Sequence, residues 1–203
     1  MPWVQRGRAL AEEARPFVVL GWKLEADMEL VGTQATLRPW RQSDAAALVK
    51  YANNPNVARQ LRDRFPHPYT PADARQFIQA IAPARPTTTF AIVVGGEAVG
   101  GVGFSPGADV ERYSAEIGYW LGEPFWGRGI TVEAVQLLSA YAFVTCGMLR
   151  LFALPFADNA QSIRVLEKAG YTREAILRSS SVKHGAVRDQ TLYALVNPDW
   201  RGI

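Results

Sequence analysis

The chain of 203 residues is 48% hydrophobic and 20% charged, an ordinary globular composition that implies one domain, with an appendage at most. A net charge of +3 and a pI near 9.2 suit a small anionic ligand, but Lys and Arg are scattered among acids, which argues against a nucleic-acid partner. The single cysteine, Cys146, excludes an intramolecular disulfide and fits the cytoplasm, and the apolar runs are too short to span a membrane.

Residues 1–30 are read as an N-terminal extension of unknown role, with the main domain at 31–203. The extension mixes Arg6, Arg8, Glu12, Glu13 and Arg15 with an apolar patch from Phe17 to Trp22. It could be an added helix and strand, an arm for a homodimer, or sequence upstream of a natural start at Met28. From Gln34 the pattern sharpens. Ala35, Leu37 and Pro39 alternate with polar neighbours as a strand, and Ser43 offers an N-cap to a helix through Tyr51. The stretch from Asn53 to Tyr69 is rich in turn residues. Thr70 followed by Pro71 then predicts a helix running to about Ile81.

Thr88–Val94, the Gly95-Gly96 turn and Ala98–Ser105 predict a β-hairpin, because a Gly-Gly pair accepts the positive φ of a tight turn. Tyr113–Leu121 is a further strand, Thr131 to about Cys146 a helix, Leu149–Pro155 a strand, and Ala160–Ala169 a helix closed by Gly170. Tyr171–Ser180 and Val187–Val196 are the last two strands. The order is one strand, two helices, three strands, helix, strand, helix, two strands, a mixed α/β fold.

The stretch from Glu116 to Thr131 carries the chemistry. A strand passes through a loop holding Gly127 and Gly129 directly into a helix. Glycines let backbone N–H groups approach a ligand, and a helix start adds unsatisfied donors and the positive end of its dipole. The spacing matches neither a Walker phosphate loop nor a dinucleotide fingerprint, whose third glycine position is Val132 here. Taken alone, such a pair of glycines is also what a plain tight turn needs.

This run, together with Asn159-Ala160-Gln161-Ser162-Ile163-Arg164-Val165-Leu166-Glu167-Lys168-Ala169-Gly170-Tyr171, resembles the GNAT acyltransferases, and within them the branch of ribosomal-protein N-terminal alanine acetyltransferases. The similarity extends over about Gln34 to Trp200. It implies an α/β GNAT fold with a mixed, mostly antiparallel sheet of about seven strands, about four flanking helices, and two splayed parallel strands at the cofactor cleft. It implies acetyl-coenzyme A as co-substrate, no metal, and an amine acceptor that is a small molecule or a protein N-terminus. The backbone from Trp126 through Gly127, Arg128, Gly129 and Ile130 to Thr131 would cradle the phosphates. The pantetheine arm would follow Tyr119, Trp120 and Leu121 and meet Asn159. One departure stands at Pro124, where the family pattern has Arg or Gln.

Direct transfer to an amine needs a base to remove the ammonium proton, and Glu116 occupies the position of the glutamate that does so in some family members. Strand alternation puts Glu116, Gly118 and Trp120 on one face, with Gly118 as a gap between carboxylate and indole. The plainer reading is that Glu116 pairs with an arginine and that Gly118 admits a neighbour. The tyrosine acid common in the family falls at Leu166, which leaves Ser162 to hydrogen-bond the sulfur, unless it only caps its helix. Likewise the alternative reading of Asn159 is a helix cap. These departures keep open a non-catalytic acyl-coenzyme A binding domain. Ile163, Leu166 and Ala169 recur at core spacing, while Arg164 is solvated or reaches a coenzyme A phosphate. His67 and His184 lack metal-ligand spacing, and the loop 53–69 with the turn near His184 is expected to line the acceptor side.

Overall fold

Eight strands join in one sheet in the computed structural model, which describes residues 28–202. Expectations for the chain before Met28, including the apolar patch and a dimerisation arm, lie outside the described residues. The strands are β1 (Leu30–Val31), β2 (Thr36–Pro39), β3 (Thr89–Val94), β4 (Glu97–Pro106), β5 (Ser114–Leu121), β6 (Arg150–Ala153), β7 (Thr172–Lys183) and β8 (Ala186–Val196). They lie in the order β1-β2-β3-β4-β5-β6-β8-β7. Every neighbouring pair is antiparallel except β5 and β6, which run parallel.

Five α-helices accompany the sheet among the described residues: α1 (Ala45–Ala52), α2 (Pro55–Ala58), α3 (Pro71–Ile81), α4 (Ile130–Val144) and α5 (Ala160–Lys168). The seven strands and four helices read from the sequence are all present, in the order expected. Two short elements are added. β1 has two residues, too few to show a period, and its pairing of Leu30 with Leu37 starts the sheet ahead of residue 31. In α2, Asn54 caps Asn56 and Pro55 opens the helix, so the turn-rich loop holds a helical turn of its own.

Strand alternation makes three layers of these elements. Phe90 and Ile92 of β3 enter a core with Leu138 of α4 and Leu166 of α5, whereas Ala91 between them enters a second core with Leu48 of α1 and Ile78 of α3. Both faces of the sheet are therefore covered.

Two expectations change in detail. Ser43 does not cap α1; it lies within a 3-10 turn, Gln42–Asp44, and the helix begins at Ala45. The cause is Asp44, whose carboxylate accepts both arms of the Arg38 guanidinium at 2.7 and 2.8 Å and the Arg41 N–H at 2.8 Å. Burial alone would raise the Asp44 pKa, but Arg38 and the Arg41 amide hold it below the ordinary value. β6 ends at Ala153 rather than Pro155, because the chain beyond it follows β8: Gln190 Nε2 donates to Leu154 O and Thr191 N donates to Pro155 O.

Glu133, in the first turn of α4, ties this helix to the entry of β2. Its carboxylate accepts the N–H groups of Thr33, Gln34 and Ala35 and the Thr33 hydroxyl, at 2.6 to 3.0 Å. Burial opposes ionisation, yet these donors keep the pKa below the usual range. The stabilisation is therefore complete above the unfolded-state pKa and fades as pH falls through the lower folded one. Glu133→Gln is expected to cost about 2 kcal/mol at neutral pH. In urea unfolding, the gap between variant and parent should close below about pH 4.

Candidate active site between β5 and β6

The parallel pair is short. Ser114, Ala115 and Glu116 pair with Arg150, Leu151 and Phe152, and there the ladder stops, since β6 ends one residue later while β5 continues to Leu121. The two strands diverge because β5 stays with β4 along its length while the chain after β6 stays with β8. Gly122 N donates to Val99 O, so alternation turns the main-chain groups of Leu121 and Tyr119 the other way, into the opening. Trp126 Nε1 takes the Leu121 carbonyl at 2.7 Å. The remaining edge can pair with an extended, amide-bearing ligand, which is the chemistry of a pantetheine arm.

The end of β5 leads to the glycine loop. Gly127 and Gly129 have φ of 76° and 83°, the left-handed region. Gly129 is the N-cap of α4 and no side chain caps that helix, so its first N–H groups are turned toward the loop. A Cβ at Gly127 would meet nothing within 4 Å. Open space, fixed positive φ and free donors fit a diphosphate. Ile130 is buried and offers only its backbone, Thr131 is half-buried, and the Arg128 guanidinium lies over the Phe125 ring. The amide of Gln34, which the sequence reading passed over, stands 3.1 Å from where a Cβ on Gly129 would be.

Glu116, Gly118 and Trp120 share a face, as alternation predicts, while Ala115, Ile117 and Leu121 are buried on the other. The Glu116 side chain is 34% exposed and pairs with Arg62. Gly118 does not make room for a neighbour, since a Cβ there would meet nothing within 4 Å. It keeps open the space between Glu116 and Trp120, and Trp120 packs edge-on against Phe65. Gly118→Ala is expected to leave the thermal midpoint unchanged and, by placing a methyl group between Glu116 and Trp120, to lower kcat/KM by about tenfold.

On the opposite face, Tyr119 Oη lies 2.7 Å from Ser162 Oγ. Burial pushes the phenol pKa up and the Ser162 contact opposes the rise. Ser162 does not cap α5. That role belongs to Asn159, whose Oδ1 accepts the Ser162 N–H at 3.1 Å. Leu166 is 0% exposed and Ala169 is buried, both in the core as expected, with Ile163 half-buried against it; Arg164 is exposed. Trp40 belongs to the core beneath α1 and α3, and Cys146 lies half-buried just beyond α4.

The loop 53–69 and the β7–β8 turn meet. His67 and His184, distant in sequence, line one cavity of about 450 Å³ with Asp63 and Lys183. An adjoining cavity of about 210 Å³ is lined by Gln60, Arg62, Asp63, Lys183 and Gln190 among others. Among the described residues no group of three or more His, Cys, Asp or Glu side chains is placed to hold a metal ion, and no helix is long and apolar enough to cross a membrane. Arg62 and Lys183 were missed by the sequence reading. The run Arg59-Gln60-Leu61-Arg62-Asp63-Arg64 was the available signal.

Residues 34–172 match the family described as acetyltransferase (GNAT) domain. The chain is 32% identical to the uncharacterized N-acetyltransferase p20 of Bacillus licheniformis over 182 residues, 86% of this chain and 100% of that one. It is 37% identical to the ribosomal-protein-serine acetyltransferase of Escherichia coli over 84 residues, 41% of this chain and 46% of that enzyme. Among solved structures, a ribosomal L7/L12 alpha-N-protein acetyltransferase in complex with coenzyme A shares the fold, with a TM-score of 0.74 at 23% identity, covering 83% of this chain and 98% of the other. The family pattern across the cleft and a relative matched over its whole length place this chain in the GNAT family as an acetyl-coenzyme A-dependent N-acetyltransferase.

Proposed function

We propose that this enzyme acetylates a primary amine, with a protein N-terminus as the foremost acceptor, by direct transfer in the opening between β5 and β6. The observation that carries the reading is the edge of β5 beyond Glu116, which β6 leaves unpaired and which leads to the donor-rich start of α4. The main chain of Tyr119 and Leu121 would align the pantetheine arm, and Asn159 would close over it from the start of α5. The loop from Trp126 to Thr131 would hold the phosphates, with the Gln34 amide beside Gly129 standing in for the side chain that Pro124 lacks. A chain-end acceptor is supported by the relatives named for ribosomal proteins.

Glu116 is the base in this reading. It takes one proton from the acceptor ammonium, and the freed lone pair attacks the thioester carbonyl carbon as the carbon–sulfur bond breaks. That first proton passes from Glu116 to water, and the second amine proton ends on the thiol. Ser162 Oγ, held by Tyr119 Oη, donates a hydrogen bond to the departing sulfur. No acid is needed at Leu166, which the core claims.

The test is amine-dependent release of free thiol from acetyl-coenzyme A, with the acetylated product identified by mass. Ser162→Ala should lower kcat about tenfold, the value of one hydrogen bond to a charged atom, and leave KM for acetyl-coenzyme A nearly unchanged. An unaltered kcat would remove Ser162 from the mechanism.

A further inference from the structure

The acceptor side of the cleft is charged, and its charges are already matched with one another. Arg62 pairs with Glu116, and Lys183, whose side chain is only 6% exposed, donates to Asp63 at 2.7 Å. Arg62, Asp63 and Lys183 line the cavity of about 210 Å³, and Arg59 lines the adjoining one. The permanent charges on these walls are thus three cations, Arg59, Arg62 and Lys183, against the single carboxylate of Asp63. An ammonium entering alone is poorly served here. An ammonium that takes Glu116 from Arg62 leaves the guanidinium facing the incoming positive charge with its own partner lost. The ion pair itself is half-exposed and weak, so what opposes a lone ammonium is the excess of cations beside it. Gln60, on the same cavity wall, has a buried side-chain oxygen with no hydrogen-bond partner among the described residues, an acceptor that a substrate N–H would satisfy.

We propose that the acceptor carries a carboxylate within a few bonds of its amine, and that it enters by exchanging ion pairs: its ammonium takes Glu116 while its carboxylate takes Arg62. The inference rests on Glu116 as the reaction's base. After the exchange both protein charges are paired again, and the guanidinium, with its fork of donors, is suited to a carboxylate. Arg62 thereby selects the acceptor as well as guarding the base. The required chemistry is found at a chain end with an acidic first residue and equally in a free amino acid.

Matched acceptors separate these cases, with thiol release and equilibrium titration as readouts: the amidated peptides Asp-Ala-Ala and Asn-Ala-Ala, and free alanine beside alaninamide. The carboxylate-bearing member of at least one pair should show kcat/KM and affinity at least tenfold higher. Arg62→Gln should abolish that preference and Arg62→Lys should restore part of it. Preference confined to the amino-acid pair identifies a metabolite, and preference for Asp-Ala-Ala identifies a chain end; both support the exchange. Equal rates within both pairs, or a preference that survives in Arg62→Gln, would overturn it while leaving acetyl transfer intact. If no amine drives thiol release, the reading of Glu116 falls as well.

Discussion

Glu116→Gln is expected to lower kcat by two to three orders of magnitude, within the range of about 10²- to 10⁴-fold that a positioned base contributes. The amide keeps the size of the side chain and loses its ability to take a proton. Affinity for coenzyme A should stay within about twofold, because the edge of β5 proposed to hold the ligand is main chain, whereas Glu116 projects from the strand face. Stability should change little. The ion pair with Arg62 is half-exposed, with side chains 51% and 34% accessible, and such pairs are worth about 0.2–1 kcal/mol. Steady-state thiol release, coenzyme A titration and urea unfolding separate these effects. A kcat within twofold of the parent would show that Glu116 is not the base.

Gly129→Val should act on the cofactor instead. With φ of 83° this residue is in the left-handed region, where a β-branched side chain costs on the order of 1–3 kcal/mol. Its Cβ would also stand 3.1 Å from the Gln34 amide, at the mouth of the loop. The expected outcome is a rise of about a hundredfold or more in KM for acetyl-coenzyme A, roughly the effect of losing two hydrogen bonds to an anion. Strain alone would also destabilise the fold, so a control is required. Gly96 has φ of 84° in the β3–β4 turn and nothing within 4 Å of a Cβ. Gly96→Val should therefore lose comparable stability and leave KM unaltered. Equal KM effects in the two variants would remove the glycine loop from cofactor binding.

Features of this cleft that depend on local pattern were legible in the sequence. Alternation in β5 put Glu116 and Gly118 on the face opposite Ile117 and Leu121, and glycine spacing marked the start of α4. Helical phase put Leu166 in the core, where it is fully buried. Pairings between distant segments were legible in kind at most: an arginine partner for Glu116 was one reading, but not which arginine. Arg62 reaches Glu116 across 54 positions, and Lys183 reaches Asp63 across 120. No periodicity records such contacts, because they depend on how a loop folds over the end of a sheet. The cap of α1 went astray for a related reason. Asp44 is held by Arg38, so the chain tightens into a 3-10 turn before the helix begins, and Arg38 stood at a position that alternation marked as polar. The hydroxyl pair of Tyr119 and Ser162 joins a strand to a helix 43 positions away. Alternation gave only the face from which the phenol departs.

Calorimetric titration of the protein with coenzyme A tests most directly whether the opening between β5 and β6, closed by the loop from Trp126 to Thr131, is the cofactor site. Saturable binding of coenzyme A that Gly129→Val weakens is expected, with no saturable binding of ATP, which brings phosphates but lacks an arm to pair with Tyr119 and Leu121. Absence of coenzyme A binding at millimolar concentration, or equal binding of ATP, would contradict it.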